Sequence, residues 1–187
     1  NIVGARKFYE RKEIRDIIAY LRLAINNNDK LSFERIINVP RRGIGDKTVE
    51  KIENYASEHN LSALESLQFV EEIPNLGKKV TGKLQEFYNM INHFAQLSRD
   101  GASIATILDE VMQMSGYLQD LQDSGQPDAQ VRVENLQELK SLGVEFEREE
   151  DLTLEDFLAQ VALIQDTDDV DYSDSVVLMT FHGAKGL

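Results

Sequence analysis

The segment Val39-Pro40-Arg41-Arg42-Gly43-Ile44-Gly45-Asp46-Lys47-Thr48-Val49-Glu50-Lys51-Ile52 decides how this chain is read. Residues 40–45 form a turn by composition, and residues 47–58 follow as a helix with Val49, Ile52 and Tyr55 along one side. A related segment comes later: Ile73-Pro74-Asn75-Leu76-Gly77-Lys78-Lys79-Val80-Thr81-Gly82-Lys83-Leu84. Both run from an apolar residue and a proline, through two or three residues, to an apolar-glycine pair and a basic helix start. Glycine lets a backbone turn tightly and approach a ligand. The helix that follows offers free N–H groups and the positive end of its dipole, which together suit a phosphate. Lys47, Lys51, Lys78, Lys79 and Lys83 add charge nearby. Such contacts position a duplex without reading its sequence. The candidate duplex contacts are Arg41, Arg42, Gly43, Ile44, Gly45, Lys47 and Thr48 in the first turn and Lys78 and Lys79 in the second. The competing reading is that these turns only join short helices.

Outward from the two turns the pattern is helical. Residues 8–25 place Ile14, Ile17, Ile18, Leu21 and Ile25 at three- to four-residue spacing, with Arg11, Lys12, Arg15 and Arg22 mainly on other faces. Residues 26–29 read as a polar turn, and Ser32 as the cap of a short helix through Ile37. Residues 62–69 make another short helix, residues 74–77 a turn, and residues 79–97 a longer helix. That helix buries Val80, Leu84, Phe87, Tyr88, Ile91 and Phe94. Ser103 caps a helix over residues 104–114 that Gly116 ends. Residues 120–129 are expected to be a mobile loop, and residues 131–148 and 154–164 two further amphipathic helices. Residues 1–7 read as a strand end or loop. The body is therefore all-α with a β fringe at both ends.

The chain has 187 residues and a net charge of -13, unevenly spread. Residues 1–100 hold 16 basic and 14 acidic side chains, whereas residues 101–187 hold 4 and 19. The first half thus keeps local basic clusters despite an acidic total, and the second presents a solvated acidic surface. There is no cysteine, which excludes disulfides and thiolate metal sites. No apolar run approaches the ~20 residues that span a bilayer, and nothing reads as a signal peptide. A soluble, intracellular protein with no membrane partner is expected. His59 and His93 have no companions at ligand spacing, and the five aspartates of residues 166–174 lack the glycine-centred spacing of an EF-hand loop. No metal site is expected. Phe87, Tyr88 and Phe94 sit at core spacing rather than as a base-stacking platform.

The last twelve residues, Val176-Val177-Leu178-Met179-Thr180-Phe181-His182-Gly183-Ala184-Lys185-Gly186-Leu187, read as a β-prone run that delivers Thr180, His182 and Lys185 to a glycine turn. That is the edge of a site whose remainder is expected elsewhere in a larger machine.

The two Pro/Gly turns resemble the helix-hairpin-helix family of non-specific DNA-binding turns. The first has an extra residue after Pro40, and the second has Asn75 where glycine is usual. Residues 4–23 resemble the tail of helicase motif IV in the PcrA/UvrD/Rep branch of superfamily 1. Arg132-Val133-Glu134-Asn135-Leu136-Gln137-Glu138-Leu139 resembles a segment of the 2B subdomain of those helicases, and residues 180–187 resemble their motif V. Order and spacing agree along the whole chain. Ala5 stands where a second glycine is usual, and Gly183 where serine or alanine is common.

The resemblance implies an ATP-dependent 3′→5′ DNA helicase of bacterial repair and replication, cytoplasmic and nucleoid-associated. It implies residues 1–7 and 171–187 as short β-containing parts of the 2A motor domain and residues 8–170 as a helical, duplex-binding, regulatory 2B subdomain. Its partners would be duplex and single-strand junction DNA, the parent's 1A, 1B and 2A domains, and repair or replication proteins. Thr180 and His182 would touch single-stranded DNA, and Lys185 and Gly186 would lie near the coupling to ATP. ATP and Mg²⁺ belong to the parent; no Gly-x-x-x-x-Gly-Lys-[Ser/Thr] loop occurs here, and no catalytic residue is expected in this chain. Two alternatives remain open: a helical protein-interaction module whose acidic half docks a basic partner, and a stand-alone repair enzyme such as a glycosylase, for which no convincing catalytic set is visible.

Overall fold

The computed structural model describes residues 2–149 and 152–167. Helices account for all the regular structure among them: α1 (Ile2–Tyr9), α2 (Lys12–Ile25), α3 (Lys30–Ile36), α4 (Asp46–Glu58), α5 (Ala63–Ser66), a 3-10 segment (Leu67–Glu72), α6 (Lys78–Arg99), α7 (Ile104–Met114), α8 (Tyr117–Asp123), α9 (Ala129–Glu147) and α10 (Leu154–Gln165). None of these helices is long and apolar enough to cross a membrane.

α2 is the centre of the fold. Ile14, Ile17, Ile18, Ala19, Tyr20, Leu21, Leu23 and Ala24 are all buried, so the helix is enclosed on nearly every side. It packs against α1, α3, α6, α7, α9 and α10. Of the stripe expected on α6, Leu84, Phe87, Ile91 and Phe94 are buried, whereas Val80 and Tyr88 are only partly buried at its edge. Phe94 meets Tyr20 edge-on at 6.5 Å between ring centroids, and Phe87 meets Phe33 at 6.1 Å.

Such a central helix must also satisfy the polar groups it carries inward. Asp16 is 2% exposed. It accepts from Tyr117 Oη at 2.6 Å, Arg35 Nε at 2.8 Å and Lys12 Nζ at 2.8 Å, which fastens α3 and α8 to α2. Burial, and then the Asp16 carboxylate, push the Tyr117 hydroxyl pKa far up, so it serves as a donor. Glu13 accepts from Asn135 Nδ2 at 2.7 Å, and Asn135 Oδ1 accepts from Arg11 Nη1 at 2.6 Å, which fastens α9.

The structure corrects several sequence expectations. Residues 2–9 are a helix, not a strand end or loop. The expected helix over residues 8–25 is broken: Arg11 is extended (φ -61°, ψ 139°), and α2 restarts at Lys12. α3 is capped by Asp29, whose side chain accepts from the Ser32 amide, rather than by Ser32 itself. Residues 120–123 belong to α8, so the expected loop shrinks to residues 124–128. Residues 168–187, which carry the expected C-terminal strand, lie outside the described residues.

Two substitutions test this packing. Asp16→Ala leaves the Tyr117 hydroxyl buried without an acceptor, while Lys12 and Arg35 can rehydrate at 61% and 29% side-chain exposure. A loss of about 2 kcal/mol in urea unfolding is expected, below the ~3–5 kcal/mol for breaking a fully buried pair. At Gly143 an added Cβ would stand 2.9 Å from Ile104 Cγ2 and 3.2 Å from Leu108 Cδ1, where α9 crosses α7. Gly143→Val is expected to cost about 1–3 kcal/mol in the same measurement.

Candidate nucleic-acid interface

The first turn links α3 to α4. Gly43 has φ +74°, a conformation glycine adopts without strain. Asn38 sits behind the bend, its Oδ1 accepting from the amides of Arg42 at 2.7 Å and Ile44 at 3.2 Å. Ile44 is 1% exposed and anchors the turn in the core, so its side chain is no surface contact. Gly45 is extended (φ -86°, ψ 175°) and begins α4. The Thr48 and Val49 amides bond to the Gly45 carbonyl at 3.0 and 3.1 Å. Among the described residues, the amides of Gly45, Asp46 and Lys47 meet no acceptor. Arg41, Gly43, Gly45 and Lys47 are exposed, and Thr48 is partly exposed.

The second turn repeats this backbone. Asn75 takes the left-handed position with φ +62°, which asparagine tolerates better than most residues. Leu76 packs against the core as Ile44 does. Gly77 is extended (φ -75°, ψ 154°) and begins α6, with Lys78 and Lys79 exposed beside it. The amides of Lys78 and Lys79 likewise meet no acceptor among the described residues. α6 has no acid in its first turn, whereas α4 has Asp46, so the second helix start is the more electropositive. Asparagine in place of the usual glycine therefore preserves the bend.

Neither Gly45 nor Gly77 is demanded by the fold. Both have ordinary extended backbone, and a Cβ at either would meet nothing within 4 Å. A serine or aspartate there would cap the helix, as Asp29, Ser62, Ser103 and Thr153 do for α3, α5, α7 and α10. α2, α8 and α9 also lack a side-chain cap, but none begins with an extended glycine flanked by lysines. The two glycines leave bare amides open to an approaching anion.

The turns are also joined. Lys51 Nζ, on α4, donates to the Asn75 carbonyl at 2.8 Å, and Tyr55 Oη donates to Glu72 Oε2 at 3.0 Å. Nothing local in the sequence marks the Lys51 link; the Asn38 role has a weak local signal, an asparagine two residues before a proline.

Arg42 departs from its expected role as an outward contact. Its Nη1 donates to the carbonyls of Ile36 (2.8 Å), Ile37 (3.2 Å) and Val39 (3.3 Å). Its Nη2 donates to Tyr20 Oη and to the Ser115 carbonyl at 3.3 Å. Both terminal nitrogens are turned inward.

His59 stacks on Tyr55 at 3.9 Å, and His93 faces Glu110 at 3.2 Å. No group of metal-ligating side chains occurs among the described residues. Gly77, Gly82 and Lys83 have the spacing of a nucleotide phosphate loop, but they belong to the start of α6, and the next residue is the buried Leu84 rather than a hydroxyl for Mg²⁺. These residues do not fit ATP. Thr180, His182, Lys185 and Gly186 lie outside the described residues.

The chain is 43% identical to the ATP-dependent DNA helicase PcrA of Staphylococcus epidermidis, over all of this chain and 26% of that protein. It is 41% identical to the ATP-dependent DNA helicase PcrA of Staphylococcus aureus, with the same coverage. It thus spans about a quarter of the length of these relatives. The family model of the UvrD-like helicase C-terminal domain matches residues 1–187, and the chain belongs to that family.

Proposed function

We propose that this chain is the duplex-binding, regulatory 2B-type subdomain of an ATP-dependent 3′→5′ DNA helicase acting in DNA repair and replication. Residues 8–170 belong to the 2B subdomain, and residues 1–7 and 171–187 to the 2A motor domain. ATP and Mg²⁺ act in the motor domains of the whole protein. Thr180 and His182 contact single-stranded DNA, and Lys185 and Gly186 lie at the coupling to ATP. The helicase works in the cytoplasm, on the nucleoid, at junctions of duplex and single strand.

One observation carries the reading: two turns of matching backbone each present an uncapped glycine helix start with lysines beside it, at positions where the fold itself has no need of glycine. The helix-hairpin-helix likeness gives these turns a ligand, the sugar-phosphate backbone. Arg41, Lys47, Lys78 and Lys79 supply the charge, and Gly43, Ile44, Gly45 and Thr48 shape the first turn. The likeness of the chain to helicases named for ATP-dependent action on DNA supports the same substrate.

The test separates folding from binding by sign. In the intact helicase, Gly45→Ser and Gly77→Ser add helix caps in open space and are expected to raise stability by a few tenths of a kcal/mol. Each should weaken binding to a partial duplex about fivefold or more while leaving single-strand affinity unchanged, read by fluorescence anisotropy. Duplex affinity unchanged in both would defeat the proposal. Lys78→Ala with Lys79→Ala is expected to reduce the slope of log affinity against log salt by about two, since each phosphate contact contributes ~0.9.

A further inference from the structure

We propose that Arg42 is a positioning residue: it holds the Gly43–Gly45 turn in register with α6 for duplex binding and makes no phosphate contact. The inference rests on the duplex-binding reading above.

Three sets of contacts lead to it. The carbonyls of Ile36, Ile37 and Val39 leave the end of α3, where a helix has acceptors without intrahelical donors. Arg42 Nη1 gathers all three, so the guanidinium closes the end of α3 where the turn begins. Nη2 reaches Tyr20 on α2 and the carbonyl of Ser115, the C-cap of α7. Tyr20 Oη in turn donates to the Val39 carbonyl at 2.6 Å. The guanidinium carbon also lies 5.8 Å from the Tyr20 ring centroid and 5.2 Å from that of Phe87 on α6, within cation–π range.

One side chain therefore touches the end of α3, the central helix, the end of α7 and α6. α6 is the helix that begins at the second glycine turn, so Arg42 ties the two turns from inside while Lys51 ties them at the surface. For Arg42 to reach a phosphate, its terminal nitrogens would have to abandon five acceptors, including a buried tyrosine hydroxyl. The neighbouring Arg41 is exposed. A planar fork with fixed donors and a stacking face suits Arg42's position; lysine supplies neither the fork nor the stacking.

The test measures partial-duplex and single-strand affinity of the intact helicase across a salt series, with thermal unfolding alongside. Arg41→Ala and Gly45→Ser serve as benchmarks. Arg42→Lys keeps the charge and should lower duplex affinity about fivefold or more, with the salt slope and single-strand affinity unchanged. Tyr20→Phe removes the hydroxyl that links Arg42 to Val39 and should weaken duplex binding in the same slope-neutral way; it keeps the assay decisive if Arg42→Lys folds poorly. A slope reduced by about one unit in Arg42→Ala, with Arg42→Lys binding as wild type does, would mark a direct phosphate contact and overturn the inference. Parallel loss of duplex and single-strand affinity in Tyr20→Phe would reduce Arg42 to general stability and also overturn it. If Gly45→Ser leaves duplex affinity unchanged, the duplex reading itself fails, whatever the Arg42 variants do.

Discussion

A helix enclosed on nearly every side cannot leave an inward polar group to water, and this constraint on α2 organises the rest of the molecule. Each polar group it buries recruits a different element. Asp16 draws in Arg35 from α3 and Tyr117 from α8. Glu13 reaches α9 through Asn135. Tyr20 reaches the first glycine turn through Arg42 and Val39. Burial supplies the driving force for collapse, but it is non-directional. The paired polar groups give the helices their mutual register, because an unpaired buried donor or acceptor costs more than its bond returns.

Much of this was legible in the sequence, for physical reasons that also mark where legibility stopped. The Ser103 cap of α7 and the centre of the α6 stripe (Leu84, Phe87, Ile91 and Phe94) are local patterns, and the structure has both. The break at Arg11 had no local signal, since arginine is a good helix former; at the break Arg11 meets Asn135, 124 positions away. α8 hid in a polar stretch because only Tyr117 and Leu121 are buried, too few to set a period. The two turns were readable as proline and glycine punctuation. The orientation of Arg42 was not: the sequence shows a charge beside a glycine bend, and only the packing of α2, α6 and α7 around it shows which way that charge faces.

Under the duplex-binding proposal, the two turns divide the tasks of a binding surface between them. Ile44 and Leu76 anchor the turns, Asn38 and Arg42 set their shape, and Gly45 and Gly77 keep the helix starts uncovered. A surface made of backbone amides suits a partner recognised by its phosphates rather than its bases. Residues 101–187 hold 4 basic and 19 acidic side chains, so both lysine-bearing turns fall in the half of the chain that is not strongly acidic.

Amide hydrogen exchange of the intact helicase, with and without a partial duplex, is the most direct measurement. The account predicts that added duplex slows exchange at Gly45, Asp46, Lys47, Lys78 and Lys79, beyond any change caused by single-stranded DNA alone. Slowed exchange confined to α9 and α10, with those five amides unaltered, would contradict it.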